Sequence, residues 1–188
     1  DGGATWNSGS TLTKGGHMAT YLDQNTIIIV ANENDIYKSV DGGYTWSTKN
    51  TGGNGQLLLG VDFLDMNYGI AVGDYGYIFT THDGGESWTS DQQVGDQLLH
   101  SSYIWDEDTA WICGTPELVY KTTDGGVDWN FGFNTNWQKA FYRITFTDNY
   151  TGFICGGSGG IVLRKEGLPE IPEIEVSANA IDFIPVQV

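Results

Sequence analysis

An all-β chain of repeated four-stranded antiparallel units is what three observations predict. The stretch Tyr37-Lys38-Ser39-Val40-Asp41-Gly42-Gly43-Tyr44-Thr45-Trp46 returns as 79–88 and again as 120–129, and a truncated copy, Asp1-Gly2-Gly3-Ala4-Thr5-Trp6, opens the sequence. Its Asp residues fall at 1, 41, 83 and 124, with gaps of 40, 42 and 41 residues, and self-similarity at such a period marks a repeat architecture. The 27 Gly, with many Asn, Asp, Ser and Thr, separate short apolar runs in the manner of tight turns between strands. No helical period competes with this pattern, while 39% hydrophobic and 13% aromatic residues supply a core and oppose disorder.

Taken in order, Thr5-Trp6-Asn7 reads as the last strand of a unit whose earlier strands are expected outside this chain, which begins without Met. Strands are then expected at 17–23, 26–32, 35–40 and 45–49, the third and fourth joined by the Asp-Gly-Gly turn. The next unit runs 57–64, 69–73, 77–81 and 87–90, and the third 101–105, 109–114, 118–122 and 128–131. A fourth has 141–147, 151–156 and 161–165, but Glu166-Gly167 stands where Asp-Gly-Gly should be and no Trp follows. Residues 168–173 hold two prolines and read as a linker. Residues 174–188 alternate apolar positions at both ends and read as the start of a further β domain, similar to immunoglobulin-like domains related to those of cilia and centrosome proteins.

One four-stranded unit of this size buries only one side, so units must stack, and a period near 40 with four strands is the signature of propeller blades. The expected fold is therefore a β-propeller segment of about four blades over 1–167, an open arc of a larger propeller. Within each blade the Asp carboxylate accepts backbone N–H groups of its own turn, the glycines take up positive φ, and Trp covers the turn.

Ser39-Val40-Asp41-Gly42-Gly43-Tyr44-Thr45-Trp46 resembles the Asp-box (BNR) hairpin of sialidases, sortilin-type receptors, xyloglucan-cleaving enzymes and the photosystem II stability and assembly factor. Thr81-His82-Asp83-Gly84-Gly85-Glu86-Ser87-Trp88 keeps the pattern with Ser for Thr. Thr122-Thr123-Asp124-Gly125-Gly126-Val127-Asp128-Trp129 departs from it at Asp128. The wider phrase Val61-Asp62-Phe63-Leu64-Asp65-Met66-Asn67-Tyr68-Gly69-Ile70-Ala71-Val72-Gly73 looks most like the photosystem II assembly-factor family, whose relatives also occur in secreted bacterial proteins. The resemblance implies that Asp1, Gly3, Trp6, Ser39, Asp41, Gly43, Thr45, Trp46, Thr81, Asp83, Gly85, Ser87, Trp88, Thr122, Asp124, Gly126 and Trp129 are structural turn residues and not catalytic ones.

With 24 acidic and 8 basic side chains, the formal charge of −16 opposes nucleic acid and anionic lipid as partners and suits an extracellular setting. No apolar run approaches the roughly 18 residues of a bilayer span. Cys113 and Cys155 align with Val30 and Val72 and read as two buried free thiols. His17, His82 and His100 fall at unrelated register positions, so no metal site or cofactor is expected. Function is expected at the loops between blades, 8–16, 50–56, 91–97 and 134–139, with Phe133, Trp137 and Tyr142 as contact aromatics. The leading reading is a non-catalytic scaffold or a module recognising protein or glycan in a secreted or cell-surface bacterial protein. A glycoside hydrolase of the xyloglucanase type, with Asp62, Asp106, Glu107 and Asp108 as candidate carboxylates, and an assembly factor of photosystem II are the alternatives. Sialidase is disfavoured, because Arg143 and Arg164 are the two arginines available for a substrate carboxylate.

Overall fold

Among the described residues, sixteen strands in four separate antiparallel sheets follow one another along the chain. The computed structural model describes residues 4–5, 9–52, 55–133, 139–148, 151–157, 161–165 and 174–177. The first sheet is β1 (Gly16–Tyr21), β2 (Ile27–Ala31), β3 (Asp35–Ser39) and β4 (Ser47–Asn50). The second is β5 (Leu58–Phe63), β6 (Gly69–Gly73), β7 (Tyr77–Thr81) and β8 (Thr89–Gln93). The third is β9 (Leu98–Ile104), β10 (Ala110–Thr115), β11 (Leu118–Thr122) and β12 (Asn130–Phe133). The fourth is β13 (Phe141–Asp148), β14 (Thr151–Gly156), β15 (Ile161–Lys165) and β16 (Ile174–Ser177). Each sheet is a meander in which sequence neighbours pair, as local hairpins favour.

One of these strands differs from expectation. Ile174–Ser177 pairs antiparallel with β15, Ile174 opposite Arg164, and so supplies the fourth strand of the last sheet where the start of another domain was expected. Without it, β15 would present an open edge of unpaired backbone groups. Thr5 lies outside any strand, and Trp6 with its neighbours Asn7 and Ser8 lies outside the described residues.

The four first strands sit innermost, β1 against β5, β5 against β9 and β9 against β13. Three apolar clusters fill the spaces between successive sheets. Ile28, Val30 and Ile36 of the first sheet pack on Val61, Ala71 and Phe79 of the second. Ile70, Val72 and Ile78 then meet Ile104 and Ile112 of the third, and Trp111, Cys113 and Val119 meet Phe141, Ile144 and Ile154 of the fourth. Successive residues of a strand point to opposite faces, so one face of each inner sheet serves the sheet before it and the other the sheet after. Burying a side chain such as Phe79, which is fully enclosed, contributes roughly 1.5–3 kcal/mol.

The two ends of the arc show the same pattern by default of a neighbour. Tyr21, equivalent in register to Ile104 and Phe146, is 77% exposed where those two are 6% and 8% exposed. Cys155, equivalent to the fully buried Val30, Val72 and Cys113, is exposed. The expectation of two buried thiols therefore holds for Cys113 alone, and burial drives that thiol far up. Cys155 is open because among the described residues no sheet covers that face of the fourth.

Candidate functional site

Strand alternation gives the arc two faces with different chemistry. One face carries the β1–β2 and β3–β4 turns and their equivalents, the other the β2–β3 turns and the loops from sheet to sheet.

On the first face the Asp-boxes close three near-identical networks. Ser39 Oγ donates to Asp41 Oδ1 at 2.8 Å and accepts the Gly43 N–H at 2.8 Å. Thr81 does the same with Asp83 and Gly85, and Thr122 with Asp124 and Gly126. The carboxylate then accepts the N–H of Thr45, Ser87 or Asp128, at 2.9, 2.9 and 3.0 Å. Thr45 and Ser87 add hydroxyl bonds of 2.6 Å. Those hydroxyls, foremost, hold the Asp41 and Asp83 carboxyls down at about 2. Asp128 has no hydroxyl to give, and Asp124 is lowered chiefly by the Asp128 N–H. The glycine pairs Gly42-Gly43, Gly84-Gly85 and Gly125-Gly126 all have positive φ, which only a residue without Cβ takes up freely. The indoles of Trp46, Trp88 and Trp129 lie over the second glycine of each pair. Because this turn holds Thr45, Ser87 and Asp128, the fourth strands begin two residues later than expected in the sheets of Asp41, Asp83 and Asp124. Asp1 and Gly3 of the opening copy lie outside the described residues.

A second Asp turn sits beside each box. Asp23 accepts the N–H groups of Asn25 and Thr26, Asp65 those of Asn67 and Tyr68, and Asp106 those of Asp108 and Thr109. The carbonyls of Asn25, Asn67 and Asp108 in turn accept the N–H of Gly42, Gly84 and Gly125. The two turns of a blade are thereby tied together, and the six turn carboxylates, of Asp23, Asp41, Asp65, Asp83, Asp106 and Asp124, are engaged with backbone. Asp62 is held elsewhere, inside the arc, where its Oδ2 accepts the Ile104 N–H at 2.8 Å. Burial raises its carboxyl, against the pull of that N–H and of the Arg143 charge. Glu107 and Asp108 lie exposed on the β9–β10 turn with Asp106.

The opposite face is built on bulges. At this end every inner strand carries one extra residue relative to its partner: His17 in β1, Leu59 in β5, His100 in β9 and Tyr142 in β13, β13 carrying a second, Thr147, near its other end. A bulge re-aims its side chain, and here it does so at one register position in four innermost strands. His17 Nε2 lies 2.7 Å from Asn32 Oδ1, and His100 Nε2 lies 2.9 Å from Thr115 Oγ1. Asn32 and Thr115 are themselves equivalent positions, directly after β2 or closing β10. His100 meets Tyr142 edge to face at 5.1 Å, and Tyr142 is 53% exposed. Burial lowers the His100 imidazole below its ordinary value. One residue further along, the Arg143 guanidinium reaches across to Met18 Sδ at 2.8 Å, joining the inner strands of the first and last sheets.

Around this mouth each β2–β3 turn hooks the loop entering the next sheet. Asn34 N–H donates to the Gln56 carbonyl and Asn34 Nδ2 to Gln56 Oε1, at 2.8 and 2.7 Å. Gly76 N–H donates to Gln97, and Glu117 and Lys139 exchange two bonds, the buried Glu117 carboxylate accepting the Lys139 N–H at 2.9 Å. Of the expected contact aromatics, Tyr142 stands at the mouth, Phe133 packs into the third cluster, and Trp137 lies outside the described residues. The other bulge residues were not legible as a set. Their trace in the sequence is the glycine ending Val72-Gly73, Cys113-Gly114 and Cys155-Gly156: a Cβ there would overlap the carbonyl of Leu57, Leu98 or Ala140, pushed inward by the bulge.

Among the described residues no cluster of three His, Cys, Asp or Glu is placed to hold a metal ion, and no helix is long and apolar enough to cross a membrane. Residues 53–132 match the family described as photosynthesis system II assembly factor YCF48. No curated protein matches the chain in sequence. Among solved structures, YCF48 from Cyanidioschyzon merolae superposes with a TM-score of 0.69 at 13% identity, over 91% of this chain and 59% of its own. A YCF48 bound to D1 peptide gives 0.60 at 15%, over 85% and 68%. An ancestral GH74 enzyme gives 0.69 at 15%, over 94% of this chain and 27% of its own. The chain thus spans about three-fifths of one such relative and about a quarter of another. The described sheets form an unclosed arc of Asp-box β-propeller blades, and residues 53–132 are similar to the photosystem II assembly-factor family.

Proposed function

We propose that this chain is a non-catalytic recognition module of a larger secreted or cell-surface protein, and that it takes an extended peptide segment of a protein partner across the bulge-lined mouth. The observation that carries this reading is the set His17, Leu59, His100 and Tyr142: one backbone feature, repeated four times, presents four side chains of three kinds. Two imidazoles, a phenol and an aliphatic side chain offer hydrogen bonds and apolar contact, which suits peptide backbone and apolar side chains. The YCF48 that was solved with a D1 peptide has the same fold, which supports a peptide as ligand. The acidic composition supports the extracellular setting.

The test is selection from a displayed random-peptide library, alongside a glycan array and a xyloglucan and β-glucan hydrolysis panel. Peptide binding lost in the double variant His100→Ala, Tyr142→Ala supports the reading. Hydrolysis of a glucan would instead establish the carbohydrate-active alternative, which the GH74 likeness favours, and glycan binding without peptide binding would replace the ligand class.

A further inference from the structure

We propose that Gly60 is the specificity-determining residue of the mouth, and that by drawing Leu59 and His100 together it makes a subsite for one small aliphatic side chain of the bound peptide. The inference rests on the reading of the mouth as a peptide site and says which side chain that site selects. It is carried by the residue one step past each bulge. Met18, Gly60, Ser101 and Arg143 stand opposite Val30, Val72, Cys113 and Cys155 and so share one register position. At the three seams between successive sheets the first three of them are the spacers. Met18 packs into the first apolar cluster, between the first and second sheets. Ser101 is buried, and its Oγ accepts the Ile144 N–H of the fourth sheet at 3.4 Å. Between the second and third sheets the spacer has no side chain.

That seam is closed by backbone. A Cβ on Gly60 would lie 2.8 Å from the His100 carbonyl oxygen, 2.8 Å from Ser101 Cα and 3.0 Å from Val72 Cγ2. Gly60 is not among the glycines of positive φ, so what requires glycine here is the approach of a neighbouring strand and not a turn. Leu59 precedes Gly60 and His100 precedes Ser101, and the approach therefore sets the separation of these two half-buried side chains. His100 Nε2 is already engaged, 2.9 Å from Thr115 Oγ1, and Tyr142 meets the ring edge to face. Leu98, leading into the same bulge, is 39% exposed. An imidazole occupied at that nitrogen, with leucines in the adjoining strand segments, offers carbon surface over a short span. Such a subsite favours a Val, Leu or Ile side chain over an aromatic ring.

The test compares peptides selected from a displayed random library on the wild-type chain, on Gly60→Ala and on Leu59→Ala, with Thr81→Val as a framework control. Gly60→Ala pushes the inner strand of the third sheet away and widens the subsite, whereas Leu59→Ala widens it by removing one wall. Wild type should select peptides that share Val, Leu or Ile at one position. Both variants should bind those peptides about tenfold more weakly or worse and should select Phe or Trp at that position, while Thr81→Val keeps the wild-type selection. Where circular dichroism shows Gly60→Ala unfolded, Leu59→Ala decides alone. Wild-type peptides without a shared aliphatic position overturn the inference, and so does a folded variant whose selection is unchanged or whose affinity falls with no shift to the larger side chain. In those cases the peptide reading of the mouth stands. A wild-type chain that selects no peptide overturns both.

Discussion

On the Asp-box face, Ser39, Thr81 and Thr122 make the same bond to the same carboxylate oxygen in three consecutive blades, whereas on the opposite face one bulge position carries His17, Leu59, His100 and Tyr142. The backbone repeats equally well at both places. What differs is where the side chain's bonds go. At the Asp-box each polar atom closes the backbone of its own hairpin, so a change of residue leaves an N–H unpaired. At the bulge the strand already closes its ladder around the extra residue, and the side chain is released from that duty. Framework and recognition are in this way separated onto two ends of the same blade.

The largest expected effect comes from breaking the bulge backbone itself. Gly114→Ala places a Cβ on the Leu98 carbonyl, main chain that cannot yield cheaply, and should cost about 2–4 kcal/mol in urea denaturation. Thr81→Val comes next. It removes the acceptor of the buried Gly85 N–H and should cost roughly 1–3 kcal/mol by the same measurement.

Acid sharpens the comparison within the Asp-box face. Asp41 and Asp83 have folded values near 2, depressed below the ordinary carboxylate value mainly by the hydroxyls of Thr45 and Ser87. Their contribution to stability is therefore present above the unfolded value and is lost as pH falls through about 2. Carboxyl NMR should find Asp124, which keeps the Thr122 hydroxyl but receives none from residue 128, protonating at higher pH than either. Asp128→Thr supplies that hydroxyl and should lower the Asp124 titration towards those of its two equivalents, with a rise in melting temperature of about 1–2 °C. The smallest stability change belongs to the mouth: His100→Ala with Tyr142→Ala should shift unfolding by less than about 1 kcal/mol.

The framework was the legible half, because its chemistry lies within eight consecutive residues: hydroxyl, carboxylate, two glycines and Trp all act on one hairpin. The bulges were not, since an extra residue exists only relative to a partner strand, and Met18 opposite Val30 with Gly16 opposite Ala31 cannot be read from either segment alone. Cys155 was misjudged for a related reason. The repeat register predicts which face it is on, and its burial depends on whether another sheet lies against that face. Residues 174–188 were legible as strand, but not the edge that Ile174–Ser177 joins, because the two prolines before it mark extended chain without saying which edge the chain then joins.

Separation of the two faces is tested most directly by titrating library-selected peptides into three proteins: wild type, Thr81→Val, and His100→Ala with Tyr142→Ala. Stability should fall in Thr81→Val while its peptide affinity stays within about twofold, and the mouth variant should keep its stability while losing affinity by about tenfold or more. A Thr81→Val protein that remains folded yet loses peptide affinity, or a mouth variant that binds as well as wild type, would contradict the assignment of recognition to the bulge face.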